Sequence, residues 1–120
     1  MKVINIKKVK KNALGPPLFT GYAISQTPIT DKEGVDTSVN FIHFSKGVRN
    51  KFHTHSNDQI LIVTQGKGMV VTRKKKVKVV KGDVIWAPAR EEHWHGAMPG
   101  SKFAHISITK SQTKLTQLEK

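Results

Sequence analysis

Short apolar runs punctuated by turn-forming residues constrain this chain more than any other feature. Residues 38–45, 59–64, 67–72, 76–80, 84–87 and 102–109 are strand-length and rich in β-branched and aromatic side chains. Gly47, Ser56-Asn57-Asp58, Gly66-Lys67-Gly68, Gly82-Asp83 and Pro99-Gly100 separate them. Many short strands at regular spacing predict an all-β sandwich or barrel. Residues 2–9 alternate apolar and polar and read as an opening strand. Residues 12–17 (NALGPP) read as a loop, 18–26 as a second strand weakened at Gly21, and 27–37, with Pro28, Asp31, Gly34 and Asp36, as turn-rich. No long helix is predicted. The polar tail 110–120, with Leu115 and Leu118 three apart, is either one helical turn or frayed.

At 120 residues the chain has room for one domain, 1–120, and its 37% hydrophobic content suffices for one modest core. No apolar run approaches the roughly 20 residues needed to span a bilayer. Met1-Lys2 leads into no apolar stretch of the kind that opens a secretory signal. Cysteine is absent, which excludes disulfides, thiolate metal sites and a cysteine nucleophile. These readings together point to the cytoplasm.

Lysine and arginine total 21 against 8 acidic residues, a net charge of +13. Much of it lies in Lys7, Lys8, Lys10 and Lys11 and in Arg73, Lys74, Lys75, Lys76, Lys78 and Lys81. The second cluster reads as a hairpin tip and the outer side of a strand, where lysine guards an exposed edge. No RNA-binding aromatic signature or zinc-finger spacing accompanies it, so weak, sequence-blind nucleic-acid binding is the most it predicts.

The chemistry lies in the histidines. His53-Thr54-His55 on a strand puts two imidazoles on one face, from which they can converge on one ion. A Ser-Asn-Asp turn follows, and Gln59 then opens the next strand, where its side-chain oxygen can reach the same point. His93-Trp94-His95 repeats the spacing. Imidazole and amide oxygen suit several divalent first-row metals. His43 either lines a pocket or is a satisfied core residue. Phe41, Phe52, Met69 and Trp94 are candidates for pocket wall or plain core, and Glu91 and Glu92 read as solvated.

Here the sequence resembles the cupin family. That family's first motif runs glycine, five residues, His-x-His, three or four residues, glutamate, six residues, glycine. Gly47, His53, His55, Gln59 and Gly66 match every spacing, with glutamine in place of glutamate. In the second motif Gly82, Pro88 and His93 match, while Arg90 replaces a glycine and Ala97 an asparagine. The resemblance implies a jelly-roll barrel, metal ligands His53, His55, Gln59 and His93 at its mouth, and a homodimer, often with the N-terminal strand exchanged. Gly47, Gly66, Gly68 and Gly82 are expected at positive-φ turns, and Trp86 and Pro88 at barrel wall and turn.

With three histidines and one glutamine the donors are all neutral, so a bound divalent ion keeps its full charge and attracts an anion. This set is similar to that of small bacterial and archaeal cupins that include the manganese-dependent (R)-hydroxynitrile lyases. The similarity implies a C–C lyase with manganese as cofactor, iron, cobalt, nickel or zinc also being compatible. It makes His105 the general base, titrating near physiological pH, and counts His95, the second histidine of His-Trp-His, as catalytic too. Strand parity leaves His105 open: Phe103, His105 and Ser107 share one face, Ala104, Ile106 and Ile108 the other, and periodicity alone slightly favours isoleucines inside. A manganese or iron dioxygenase and a non-catalytic metabolite-binding cupin are the other readings.

Overall fold

The computed structural model describes residues 1–30 and 35–120; the turn expected at Asp31 and Gly34 lies outside the described residues. Ten strands follow one another as β1 (Asn12–Leu14), β2 (Ala23–Ile29), β3 (Thr37–Phe44), β4 (His53–His55), β5 (Gln59–Thr72), β6 (Lys76–Val80), β7 (Val84–Ala87), β8 (His93–Ala97), β9 (Phe103–Lys110) and β10 (Leu115–Gln117). All pair antiparallel, in the order β1-β2-β3-β9-β5-β8-β4-β10, with β6 and β7 added alongside β5. The sheet curls into a half-barrel. Among the described residues the one helical element is a 3₁₀ turn, Ile6–Lys8. None of their helices is long and apolar enough to cross a membrane.

The topology turns on β5. Gln59–Val63 pair with β9 and Gln59–Ile62 also with β7, whereas Lys67–Val71 pair with β6 and Gly68–Thr72 with β8. The two strands expected at 59–64 and 67–72 are thus one. The ladder shifts register between Val63 and Gln65, and Gly66 takes φ +76°, so the strand bends between the two halves without ending. A Cβ on Gly66 would lie 1.8 Å from the Lys102 carbonyl oxygen. Gly68 is required for a different reason from the one the motif suggests. It is absent from the positive-φ glycines, which are Gly47, Gly66, Gly82 and Gly100, and a Cβ there would meet the Phe103 ring at 2.4 Å.

Three other expectations need correction. Residues 2–9 form no strand. The Asn5 side chain accepts from the Lys7 N–H, and Gln26 Nε2 donates to the carbonyls of Ile6 and Val9, both at 2.9 Å, so side-chain groups claim the backbone that a ladder would use. Asn12–Leu14 is a strand rather than loop, paired with Ala23–Ser25 around the proline turn, and β2 accordingly begins at Ala23, not at 18. The tail is neither helical nor frayed. Leu115–Gln117 pair with His53–His55, an edge that β8 touches only at His53↔His93. Arg49 then grips Glu119 through both guanidinium nitrogens, at 2.6 and 3.2 Å, and Glu119 also accepts from the Phe52 N–H.

The basic cluster from Arg73 to Lys78 forms the exposed tip of the β5–β6 hairpin and the start of β6, as expected. Trp86 lies in the barrel wall on β7 with its side chain outward, 65% exposed and donating its indole N–H to Asp58. Gly66→Ala combines a strained φ with a backbone clash and is expected to cost about 2–4 kcal/mol. Urea unfolding of the variant checks this, with Gly15→Ala, whose Cβ meets nothing within 4 Å, as the neutral control.

Candidate metal centre

Strand β4 carries His53 and His55 on its inner face, and β8 brings His93 directly opposite His53. One ring nitrogen from each of the three lies within 4.8 Å of the others, and all three residues are buried. Gln59, at the first position of β5, is 4% exposed, and its Oε1 lies 3.1 Å from His93 Nε2. Four side chains from three strands thus meet at one point.

Hydrogen bonds aim the rings. His53 Nδ1 lies 2.6 Å from the Lys51 carbonyl and His93 Nδ1 2.9 Å from the Glu91 carbonyl. A carbonyl only accepts, so both Nδ1 atoms carry the proton and both Nε2 atoms present bare lone pairs. His55 has no hydrogen-bond partner at either nitrogen despite its burial. Burial pushes the pKa of His53 down to about 3 and that of His55 to about 4, and lowers that of His93, so all three rings are neutral and ready to ligate at neutral pH. Converging lone pairs, an orphaned buried imidazole and an amide oxygen turned toward a neighbouring lone pair fit a divalent cation. Imidazole and amide donors are compatible with manganese, iron, cobalt, nickel or zinc.

A second pair of imidazoles adjoins the three. His95 and His105 are 3% and 1% exposed, and His105 Nε2 lies 3.0 Å from His95 Nδ1. The parity left open by the sequence resolves with Phe103, His105, Ser107 and Thr109 inside, and Ile106 and Ile108 on the outer face. His105 Nδ1 is buried without a partner. The expectation of a ring titrating near physiological pH fails for His105, because burial pushes it down to about 3; His95 is also lowered well below its ordinary value.

His53, His55, Gln59, His95 and His105 line one side of a cavity of about 250 Å³, with His93 behind them outside its lining. Leu14, Leu18, Phe19, Ile42, Phe44 and Leu115 form its apolar side. Phe41, Phe52, Met69 and Trp94 are not among the lining residues. Arg49 lies over the Trp94 ring and Arg73 over Phe52, so both rings are covered from outside. His43 also points away from the cavity, into a surface groove beside Lys11. Glu91 and Glu92 are exposed, as expected.

The sequence reading missed Asn50 and the role of Ser107. Asn50 is 3% exposed; its Oδ1 accepts from the His95 N–H and its Nδ2 lies 3.3 Å from the ring, clamping His95. Only its place five residues ahead of the second histidine of His-x-His, with no apolar neighbour pattern, would have flagged it. Ser107 shared a face with His105 by parity, which was the available signal.

A curled antiparallel barrel with a buried three-histidine centre is the cupin architecture. The cupin-domain family model matches residues 40–108, more than half of the chain, and the protein belongs to that family. Over 68 residues it is 40% identical to an (R)-mandelonitrile lyase of Granulicella tundricola, a match covering 56% of this chain and 52% of that protein. The match therefore spans about half the length of that relative. A cupin-like protein from Thermotoga maritima superimposes with a TM-score of 0.84 at 32% identity, covering 99% of this chain and 90% of the other. The polyketide cyclase RemF from Streptomyces resistomycificus gives 0.86 at 18% identity over 98% and 85% of the two chains, a likeness of fold alone.

Burial of neutral histidines has a measurable consequence. In the unfolded chain His53, His55 and His105 titrate near 6.5, but in the fold only near 3 to 4. As pH falls below 6.5 the unfolded state binds protons that the native state refuses, so native stability falls until the folded values are reached. The slope is on the order of 1 kcal/mol per pH unit for each such ring. The urea midpoint of metal-free protein should drop steadily from pH 7 to pH 5; a flat midpoint across that window would show that the rings take up protons without leaving the fold.

Proposed function

We propose that the protein is a metal-dependent lyase that splits the cyanohydrin of a small, apolar aldehyde into aldehyde and hydrogen cyanide, and runs the reverse addition. The observation that carries this reading is the His95–His105 pair. It places a buried, unpartnered imidazole nitrogen in a cavity that His53, His55 and Gln59 also line, next to the three histidines positioned for a metal ion. The name of the Granulicella relative supports the reaction type.

His53, His55, His93 and Gln59 hold the ion in this reading, with manganese the first candidate. Because all four donors are neutral, it supplies Lewis acidity at full charge. The apolar side of the cavity, from Leu14 to Leu115, receives the body of the substrate. That turns its hydroxyl and nitrile toward the histidines. His105 takes the hydroxyl proton, the O–H electron pair becomes the carbonyl π bond, and the C–C pair departs with cyanide. The proton on the His95–His105 pair then returns to cyanide. Burial lowers the basicity of His105, and the negative charge that develops on the substrate as its proton leaves would offset that. That low basicity is also the observation favouring a second reading, a cupin that binds a metabolite at the metal without turnover.

We further infer a homodimer through the outer face of the sheet. Register places Ile29, Val39, Ile108, Ile60 and Trp86 in one cross-strand row, and Phe41, Ile106, Ile62 and Val84 in the next. Val84 and Trp86 are each 65% exposed in the single chain. A contiguous apolar face of this kind marks an association surface, and a second copy offers the same apolar rows.

Three measurements test these readings. His53→Ala and His93→Ala should lose bound manganese by elemental analysis while keeping the far-ultraviolet signature of the barrel. His105→Ala should keep the metal and lose at least about 100-fold in mandelonitrile cleavage. Undiminished cleavage in that variant removes His105 as the base, and no cleavage by the metal-loaded parent favours the binding reading. For assembly, light scattering should give twice the chain mass for the parent and the single-chain mass for Ile60→Glu. A monomeric parent refutes the dimer.

A further inference from the structure

Gln59 and Ser107 form a buried pair on adjacent strands, 4% and 6% exposed. Gln59 Nε2 donates to Ser107 Oγ at 2.9 Å, and Gln59 Oε1 faces His93 Nε2 at 3.1 Å. The Glu91 carbonyl holds the His93 proton on Nδ1. The short contact between Oε1 and Nε2 therefore sets two acceptors against each other, an arrangement that only a cation between them makes favourable. Rotating the amide by half a turn removes the conflict. Its NH₂ then donates to His93 Nε2, and its oxygen turns to Ser107, whose rotatable hydroxyl becomes the donor. The hydroxyl serves both orientations. A methyl group serves neither, and would strand an N–H in a buried site when the oxygen faces inward.

We propose that Ser107 is the positioning residue for Gln59: by accepting from its NH₂, it allows the amide oxygen to face the metal centre, and by donating instead it allows the amide to turn over when the metal leaves. The proposal rests on the metal-centre reading. It treats Gln59 as a reversible donor whose orientation is coupled to metal occupancy, a property a carboxylate with two equivalent oxygens lacks.

The test is titration of the apoprotein with Mn²⁺, followed by electron paramagnetic resonance of the free ion. Ser107→Ala should weaken binding about 10–100-fold. Ser107→Thr should bind like the parent, while Ser107→Val, of the same shape without the hydroxyl, should match the alanine variant. In a Gln59→Glu background the orientation no longer matters, and Ser107→Ala should change affinity by less than about threefold. Parent-like binding by both Ser107→Ala and Ser107→Val, or an undiminished loss in the glutamate background, overturns the role of Ser107 and leaves the centre standing. A parent chain that binds no Mn²⁺ overturns the centre and this proposal together.

Discussion

Removing five imidazoles and an amide from water is the constraint on which this molecule depends. A buried polar atom must be paired or it costs on the order of 1–3 kcal/mol. The barrel meets that demand with backbone carbonyls at Lys51 and Glu91, with Asn50 against His95, and with Ser107 against Gln59. What stays unpaired is not scattered. Among the described residues the orphaned side-chain nitrogens belong to His55 and His105, both lining the same cavity. The fold therefore leaves its unsatisfied polar capacity where a ligand can use it, and uses hydrogen bonds elsewhere to keep each ring pointing there.

The scaffold behind this arrangement is a division of labour within β5. Its first half carries Gln59 and pairs with the His105 strand, and its second half pairs with the strand of His93 and His95. Bending at Gly66 brings the two pairs of strands over one another. β4, only three residues long, would otherwise hold His53 and His55 on a loose edge; β10 covers that edge, and the Arg49–Glu119 pair ties the segment down. Leu115 also forms part of the cavity wall. The C-terminal segment is thus joined to the centre both through the β4 ladder and through the surface a ligand would touch.

Much of the centre was readable as residue types at fixed spacing, because spacing on a strand determines facing. His53, His55 and Gln59 needed only the alternation of side chains and one turn to be brought together, whereas His93 joined them through the cupin motif, its place opposite His53 being a matter of register. Parity could not place His105, since the outer face of β9 is the more apolar one: Ile106 and Ile108 join the outer rows while His105, Ser107 and Thr109 lie inside with Phe103. A strand that turns its polar side inward gives a periodicity that points the wrong way. The N-terminal strand and the tail were misread for another reason. Local pattern describes what a segment prefers alone, whereas Gln26, twenty residues away, captures the Ile6 carbonyl, and the bare edge of β4 recruits Leu115–Gln117. Phe41, Phe52, Met69 and Trp94 were plausible walls by size, but wall positions depend on register between strands, which no single run of sequence contains.

Glutamine rather than glutamate at position 59 links these observations. A carboxylate there would offset one charge of a bound divalent ion and leave Ser107 nothing to do but donate. The amide keeps the donor set neutral, and no aspartate or glutamate among the described residues lines the cavity. An anion forming in this space is then attracted by the centre and shielded from water by the leucines and phenylalanines opposite. In the proposed lyase reaction, that attraction would compensate for the weakness of His105 as a base. A neutral imidazole strongly resists protonation in an apolar site by itself, but accepts a proton more readily when the group that gives it up becomes an anion at short range. Low basicity in the resting protein and competence in the reaction are therefore compatible, provided the substrate supplies the negative charge at the moment the proton moves.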